Sequence, residues 1–317
     1  MSALDTSLPL SQPEAGDLEA PPLSIGQMAW RRFRRHKLAL VGTVMVVLLF
    51  VYAFGGALVH SEAYANFTET GIRLQGPSAA HPFGTDTTGR DILARTIYGG
   101  QISLLIGLLA VILELVVGIT VGALAGFYGG RLDSLLMRIT EAVLTIPTIF
   151  LLLVMAKFFA GRIPNLQIFG RTFSGSVVVI ILIIGLTSWP YLARIVRASF
   201  LSIKENEFIL AARATGTPNR QIIVRHILPN TIAPIVVTAT LGVANAILSE
   251  AYISFLGLGV QPPTATWGNM ITGAYNYIDT AWWLWFFPGM LIVLTVLSIN
   301  FVGDGLRDAL DPRSRPG

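Results

Sequence analysis

Long apolar blocks, separated by short polar stretches, set the pattern of this chain. A hydrocarbon layer about 30 Å thick is crossed by roughly 20 apolar residues in a helix. Six stretches meet or approach that length, at about 38–59, 101–126, 140–160, 176–198, 231–257 and 280–303. The second is long enough to tilt or to extend beyond the bilayer, and the fifth carries "FLGLG", where a break is expected. Between the fourth and fifth lies a polar, alanine-rich segment, "FILAARATGTPNRQIIVRHILPN", Phe208 to Asn230. Its composition predicts a helix from about Ile203 to Thr215, stopped by Gly216 in a left-handed cap and by Pro218. A second short helix fits Asn219 to Ile227, and Pro229 opens the next span, where its missing amide would be unpaired anyway.

Composition agrees with a polytopic membrane protein. Of 317 residues, 53% are hydrophobic and 13% charged, whereas a soluble domain carries charge on about a quarter of its positions. Cysteine is absent, which excludes disulfides, thiol catalysis and cysteine-held metals. The basic cluster "RRFRRHK", Arg31 to Lys37, abuts the first span and predicts a cytoplasmic N-terminus. With six spans both termini are then inside. Sixteen of the 22 lysines and arginines fall on the inner side, six fall outside, and the outer loop 258–279 has none.

The expected organisation is therefore all-α. Residues 1–30 form a disordered cytoplasmic tail, and 31–100 hold the first span and a long external loop. A membrane-spanning body occupies 101–305 with a cytoplasmic loop at 199–230, followed by a cytoplasmic tail at 306–317. No cleavable signal peptide is visible. In the external loop, Gly84, Asp86 and Gly89 predict a turn, and Asp91 to Tyr98 a short helix leading into span two.

Signals for catalysis are weak. None of the three lysines, Lys37, Lys157 and Lys204, follows a phosphate-binding glycine loop, so the chain is not expected to hydrolyse ATP alone. The histidines show no paired metal-ligand spacing. No cofactor, metal or nucleic acid is expected, although a site assembled in three dimensions stays open.

Polar residues inside the spans are more informative, because a charge at mid-bilayer costs about 2.5–3.5 kcal/mol on insertion scales. Glu114 and Glu250, with Asn245, are candidates to line a polar pathway; hydrogen bonding within a helix interface is the competing reading. Gly118, Gly122 and Gly126 recur every four residues and predict a close helix contact. Pro147, Pro190, Pro234 and Pro288 are candidate kinks. In the polar segment, Ala211 and Ala212 leave a flat patch that fits a partner's groove, with Phe208 and Ile209 as anchors and Glu205, Glu207, Arg213 and Arg220 at the rim. A helix lying on lipid headgroups is the alternative.

The segment "AARATGTPNRQIIVRHILPN" resembles the cytoplasmic loop of ABC importer permeases: Glu-Ala-Ala, a glycine three residues on, and Leu-Pro about a dozen residues later. Ala211, Ala212, Gly216, Leu228 and Pro229 stand in the matching places, and Leu210 replaces the glutamate, with Glu207 one turn earlier. "HPFGTDTTGRDILARTIYGGQISLLIG" and "SEAYISFLGLGVQPPTATWGNM" are similar to segments of the second permease subunit of dipeptide and oligopeptide importers, a likeness extending from about Arg31 to Pro312. It implies a type I importer fold with six spans and a coupling helix. It further implies a heterodimer with a homologous permease, two cytoplasmic ATPases, an extracytoplasmic substrate-binding protein, and a multi-pass location in the cytoplasmic (inner) membrane. Coupling would fall to Glu207, Phe208, Ala211, Ala212, Arg213 and Gly216, Ala211 and Gly216 foremost. Nickel or another metal chelate, glutathione and oligosaccharide remain rival cargoes; an ion-gradient-driven transporter is the more distant rival.

Overall fold

The computed structural model describes residues 25–168 and 171–311; the expected tail over 1–24 and the end of the chain, 312–317, lie outside the described residues. Helix α1 (Ile25–Phe33) covers the last part of the segment expected to be disordered. Its Phe33 is buried against Ala39 and Ala309, while Trp30 and Met28 are exposed. His36 then caps α2 (Lys37–Phe50) by accepting from the Ala39 amide at 3.1 Å. The first span continues through a π turn and a 3-10 turn to Leu58. A short helix, α3 (Glu62–Asn66), follows, capped by Ser61.

Helix α4 (Ile92–Tyr128) has 37 residues. At about 1.5 Å per residue it is roughly 55 Å long, well over the thickness of a hydrocarbon core. The short helix expected over 91–98 is thus the first turns of this span, begun by Asp91, whose carboxylate accepts from the Ala94 amide at 2.8 Å. Those turns run through protein, since Arg95, Thr96, Gln101 and Ser103 are all buried.

The third expected span, 140–160, is two helices, α5 (Gly130–Thr145) and α6 (Thr148–Phe159), bent by 87° at their junction. The cause is local: Ile146 before Pro147 takes an extended conformation (φ −79°, ψ 124°), and proline disfavours helix at the residue before it. Strands β1 (Leu166–Ile168) and β2 (Arg171–Phe173) pair antiparallel after it.

Helix α7 (Gly175–Ile203) packs along α4. The seam is the predicted glycine face. A Cβ on Gly118 would meet Leu192 at 2.9 Å, one on Gly122 the Ala193 carbonyl oxygen at 2.5 Å, and one on Gly126 Phe200 at 2.6 Å. From the other side, Gly185 admits the Ala110 carbonyl and Leu113. Pro190 sits inside α7 without breaking it.

Short helices α8 (Glu207–Ala214), α9 (Asn219–Gln221) and α10 (Leu228–Asn230) make the polar segment, with a π turn over Ile222–Ile227. They lead to α11 (Ile232–Phe255), whose first turn contains Pro234. The break at "FLGLG" is real, with Gly257 at φ +77°. The chain then folds back into the bundle through α12 (Trp267–Ile271), and Trp267 is fully buried. The last span is α13 (Trp283–Leu310), which continues through Pro288 and includes the start of the expected C-terminal tail. Of the four candidate prolines, only Pro147 breaks a helix. Among the described residues, five helices are long and apolar enough to cross a membrane, six spans if α5 and α6 count as one.

Gly122→Val is expected to lower the thermal unfolding midpoint in detergent, because overpacking against a backbone oxygen costs about 1–3 kcal/mol. Gly26→Ala, which meets open space, serves as the control. An unchanged midpoint for Gly122→Val would contradict the seam.

Candidate functional site: a central cavity and the helical loop at one end

A cavity of about 1020 Å³ runs between α4, α7, α11 and the ends of α5 and α13. Glu114, Thr187, Ser188, Tyr191, Asn245 and Ser249 contribute its polar lining. Glu114 is largely buried, and among the described residues none donates a hydrogen bond to it. Gly242 makes room for it, since a Cβ there would lie 3.1 Å from a Glu114 carboxylate oxygen. A mid-span carboxylate facing a space large enough for water is the arrangement expected of a polar route. Asn245 joins it from α11. At one end of the cavity stand Arg307 and Asp311.

Glu250 lies elsewhere. It is fully buried and is not part of the cavity lining. One carboxylate oxygen accepts from Ser254 at 2.6 Å and Thr266 at 2.7 Å, the other from Ser103 at 3.4 Å. The Ser254 hydroxyl also accepts from the Val260 amide, and Ser103 from the Trp267 amide. The Trp267 indole donates to the Thr96 carbonyl at 2.8 Å. Glu250 therefore fastens the folded-back segment to α4, which matches the reading of a hydrogen-bonded interface acid. Nothing in its immediate sequence distinguishes that role from a pathway, because Thr266 and Ser103 reach it from distant segments.

The loop over 204–230 sits where α4 and α7 end. Helix α8 starts at Glu207, apart from α7, and so is shorter than the helix expected over 203–215. Its stop is a Schellman motif: Gly216 at φ +79° donates to Arg213, and Thr217 donates to Ala212. Ile209 is fully buried among Phe127, Val196, Phe200, Ile222 and Ile227. Ile209 thus anchors the loop to its own bundle, where a partner's groove was expected to receive it. Ala212 packs on the same side, so the alanine pair divides between two faces. Outward stand Ala211, Phe208 and Leu210, the last two 44% and 49% exposed, with Glu207 also exposed. The Arg213 guanidinium lies over the Phe127 ring, 5.5 Å from its centre. Leu228 and Pro229 begin the turn into α11, Leu228 packing on the Ile209 cluster. Lys204 donates to the Gly126 carbonyl, and Arg197 grips Asp133 through two bonds of 2.5 and 2.6 Å. The loop and α5 are thereby tied to the helices that wall the cavity.

At the other end of α4, the predicted turn holds. Gly84 and Gly89 have φ of +76° and +82°. Burial pushes the Asp86 carboxyl up, but the Arg90 guanidinium and the bonds from the Arg90 and Thr88 amides and the Thr88 hydroxyl hold it below the usual carboxylate range.

Comparison with known proteins gives consistent results. The family model described as binding-protein-dependent transport system inner membrane component matches residues 118–316, and the N-terminal TM domain of oligopeptide transport permease C matches 24–77. The chain is 42% identical to the dipeptide transport system permease protein DppC of Alkalihalophilus pseudofirmus, over 90% of each chain. It is 40% identical to that of Bacillus subtilis, over 95% of this chain and 90% of the relative. A putative peptide permease of Brucella suis is 42% identical over 92% and 93%. Among solved structures, the MetNI methionine ABC transporter in an inward-facing conformation has a TM-score of 0.53 at 23% identity, covering 69% of this chain and 98% of that one. That likeness shows the type I importer fold.

Glu250→Ala is expected to leave three hydroxyl donors without their acceptor, each stranded buried donor costing about 1–3 kcal/mol. Amide exchange over 258–271 should quicken and the unfolding midpoint fall, with Glu250→Gln milder. Exchange unchanged in the alanine variant would show that Glu250 is not the fastener.

Proposed function

This chain belongs to the family of binding-protein-dependent transport system inner membrane components, and on that premise we propose that it is a membrane subunit of an ATP-driven importer of di- or oligopeptides. The cavity around Glu114 and Asn245 forms its share of a pathway that opens alternately to the two sides. The chain has no catalytic role; ATP hydrolysis belongs to two partner ATPases. The basic residues around α1 and the loop over 204–230 support a cytoplasmic side for both of those regions.

The observation that carries the reading is how α8 is mounted. It is a short helix with an outward face of Phe208, Leu210 and Ala211, fixed through Ile209 to the ends of α4 and α7. A helix in a partner's groove transmits displacement only if its base does not yield, and this base is closely packed. Nucleotide binding to the ATPases would then bias a two-state bundle by favouring one arrangement. The outward apolar faces of α5 and α6, including Leu135, Ile139, Phe150, Val154 and Phe158, suit a seat for a homologous permease. Peptide is favoured over a metal chelate, glutathione or oligosaccharide because the similar relatives carry peptide-permease names. An extracytoplasmic binding protein would deliver it.

Gly216→Val tests the lever. A Cβ there meets open space, so the only strain is in the backbone, where a β-branched residue at positive φ costs about 1–3 kcal/mol. Peptide uptake and substrate-stimulated ATPase activity should fall together while the amount of inserted permease stays the same. Normal uptake would remove α8 from the coupling role. Glu114→Gln should slow uptake without loss of the unfolding midpoint; unchanged uptake would demote Glu114 to packing.

A further inference from the structure

A second pocket, of about 270 Å³, opens at the end of the molecule away from α8. It lies between the Asp86 turn, the first turns of α4 and the segment that follows α12. The charged residues lining it are Asp86, Arg90 and Arg95, one carboxylate against two guanidinium groups. The carboxylate is already committed: Asp86 accepts from the Thr88 amide and hydroxyl, the Arg90 amide and, at 2.7 Å, the Arg90 guanidinium. Arg95 is left over. It is 5% exposed, donates once to Asn66 at 3.2 Å, and stands 3.9 Å from Asp86, beyond hydrogen-bond reach. A guanidinium has five N–H donors in a planar fork matched to carboxylate. The rim adds the exposed Asn276 and the half-buried Tyr277. The pocket is a concave seat with one excess positive charge and unused donors.

The seat is separate from the large cavity. None of its lining residues lines the large cavity, and Arg95 is more than five helical turns along α4 from Glu114. We propose that this pocket receives an acidic side chain of the extracytoplasmic binding protein, docking that protein beside the mouth of the pathway. The proposal rests on the importer reading and its orientation. A desolvated carboxylate between Arg90 and Arg95 would fix the register of the docked protein, and its attraction would speed encounter at low salt.

The chain has no cysteine, so a single introduced one is the sole label read on this subunit. Asn276→Cys in the assembled importer, in right-side-out vesicles, is treated with a membrane-impermeant maleimide with and without the purified binding protein of the same system. Labelling from outside, slowed about tenfold or more by saturating binding protein, supports the proposal. Arg95→Gln should weaken docking about tenfold and flatten its salt dependence, with Arg95→Lys recovering most of the affinity. Because Arg95→Gln removes a buried group, Thr87→Asp on the exposed rim supplies a second variant: its carboxylate should occupy the seat and weaken docking comparably. Outside labelling without protection, or docking unaffected by Thr87→Asp, overturns the pocket assignment and leaves the importer reading intact. Protection by free peptide in the absence of binding protein overturns it too, making the pocket a cargo site. Labelling only from the inner side overturns the orientation instead.

Discussion

The close contact of α4 with α7 is the constraint on which the other parts depend. Gly118, Gly122 and Gly126 present bare backbone to Leu192, Val196 and Phe200, and the helices approach until a methyl group on Gly122 would strike a carbonyl. With little hydrophobic drive between helices in lipid, such contact must come from fit. The seam also fixes what lies at its ends. One turn before Gly118 on α4 comes Glu114, and one turn before Leu192 on α7 comes Ser188, and both line the large cavity. The cavity thus begins where the small-against-large register changes to polar residues. At the far end, Phe127 and Phe200 form the floor on which Ile209 rests. Cavity and helical loop both lie along one interface.

The second fastening is polar. Glu250, Ser103, Ser254 and Thr266 hold the segment after Gly257 against α4, and Trp267 fills the space left by Gly99 and Gly100. A fully buried acid is costly unless its oxygens are bonded, and here both are. What was expected to be an external loop over 258–279 is in good part an inserted plug, which keeps the pocket walls of Asn269 and Asn276 in place near Arg95. The same segment has no lysine or arginine, so the positive charge of that pocket comes entirely from the Asp86 turn and α4.

Sequence made legible whatever depends on a local pattern. Five apolar spans, the glycine seam, the Gly216 stop and the Asp86 turn each follow from residue type and spacing within one segment, and each is present. The 87° bend was only half legible: Pro147 marked its place, but its size follows from the extended backbone that Ile146 adopts in the folded chain. The length of α4 was hidden because its first three turns are polar enough to look like a loop helix, and they are helical because protein surrounds them. Ile209 was misplaced, and Glu250 was left open between pathway and interface, for one reason. Both lie in segments whose two faces are equally plausible from sequence, and only tertiary partners decide which face turns inward.

The face that α8 leaves outward bears on the departure at Leu210. Where the resembling permeases carry a glutamate, this chain exposes a leucine beside Phe208 and Ala211. An acid there would bond to a partner through a directional, salt-screened contact, whereas an apolar pair is held by burial and shape. Arg213 is turned toward the Phe127 ring and helps hold the helix to the bundle, which leaves Glu207 as the acid beside the apolar face. In the proposed importer, therefore, the two ends of the chain meet their partners by opposite chemistry. The ATPase end depends on apolar fit and a rigid base, which transmit force over short distances. The binding-protein end depends on charge, which guides a diffusing partner and lets it leave. A contact that must pull at every cycle and one that must form and dissolve at every cycle call for that division.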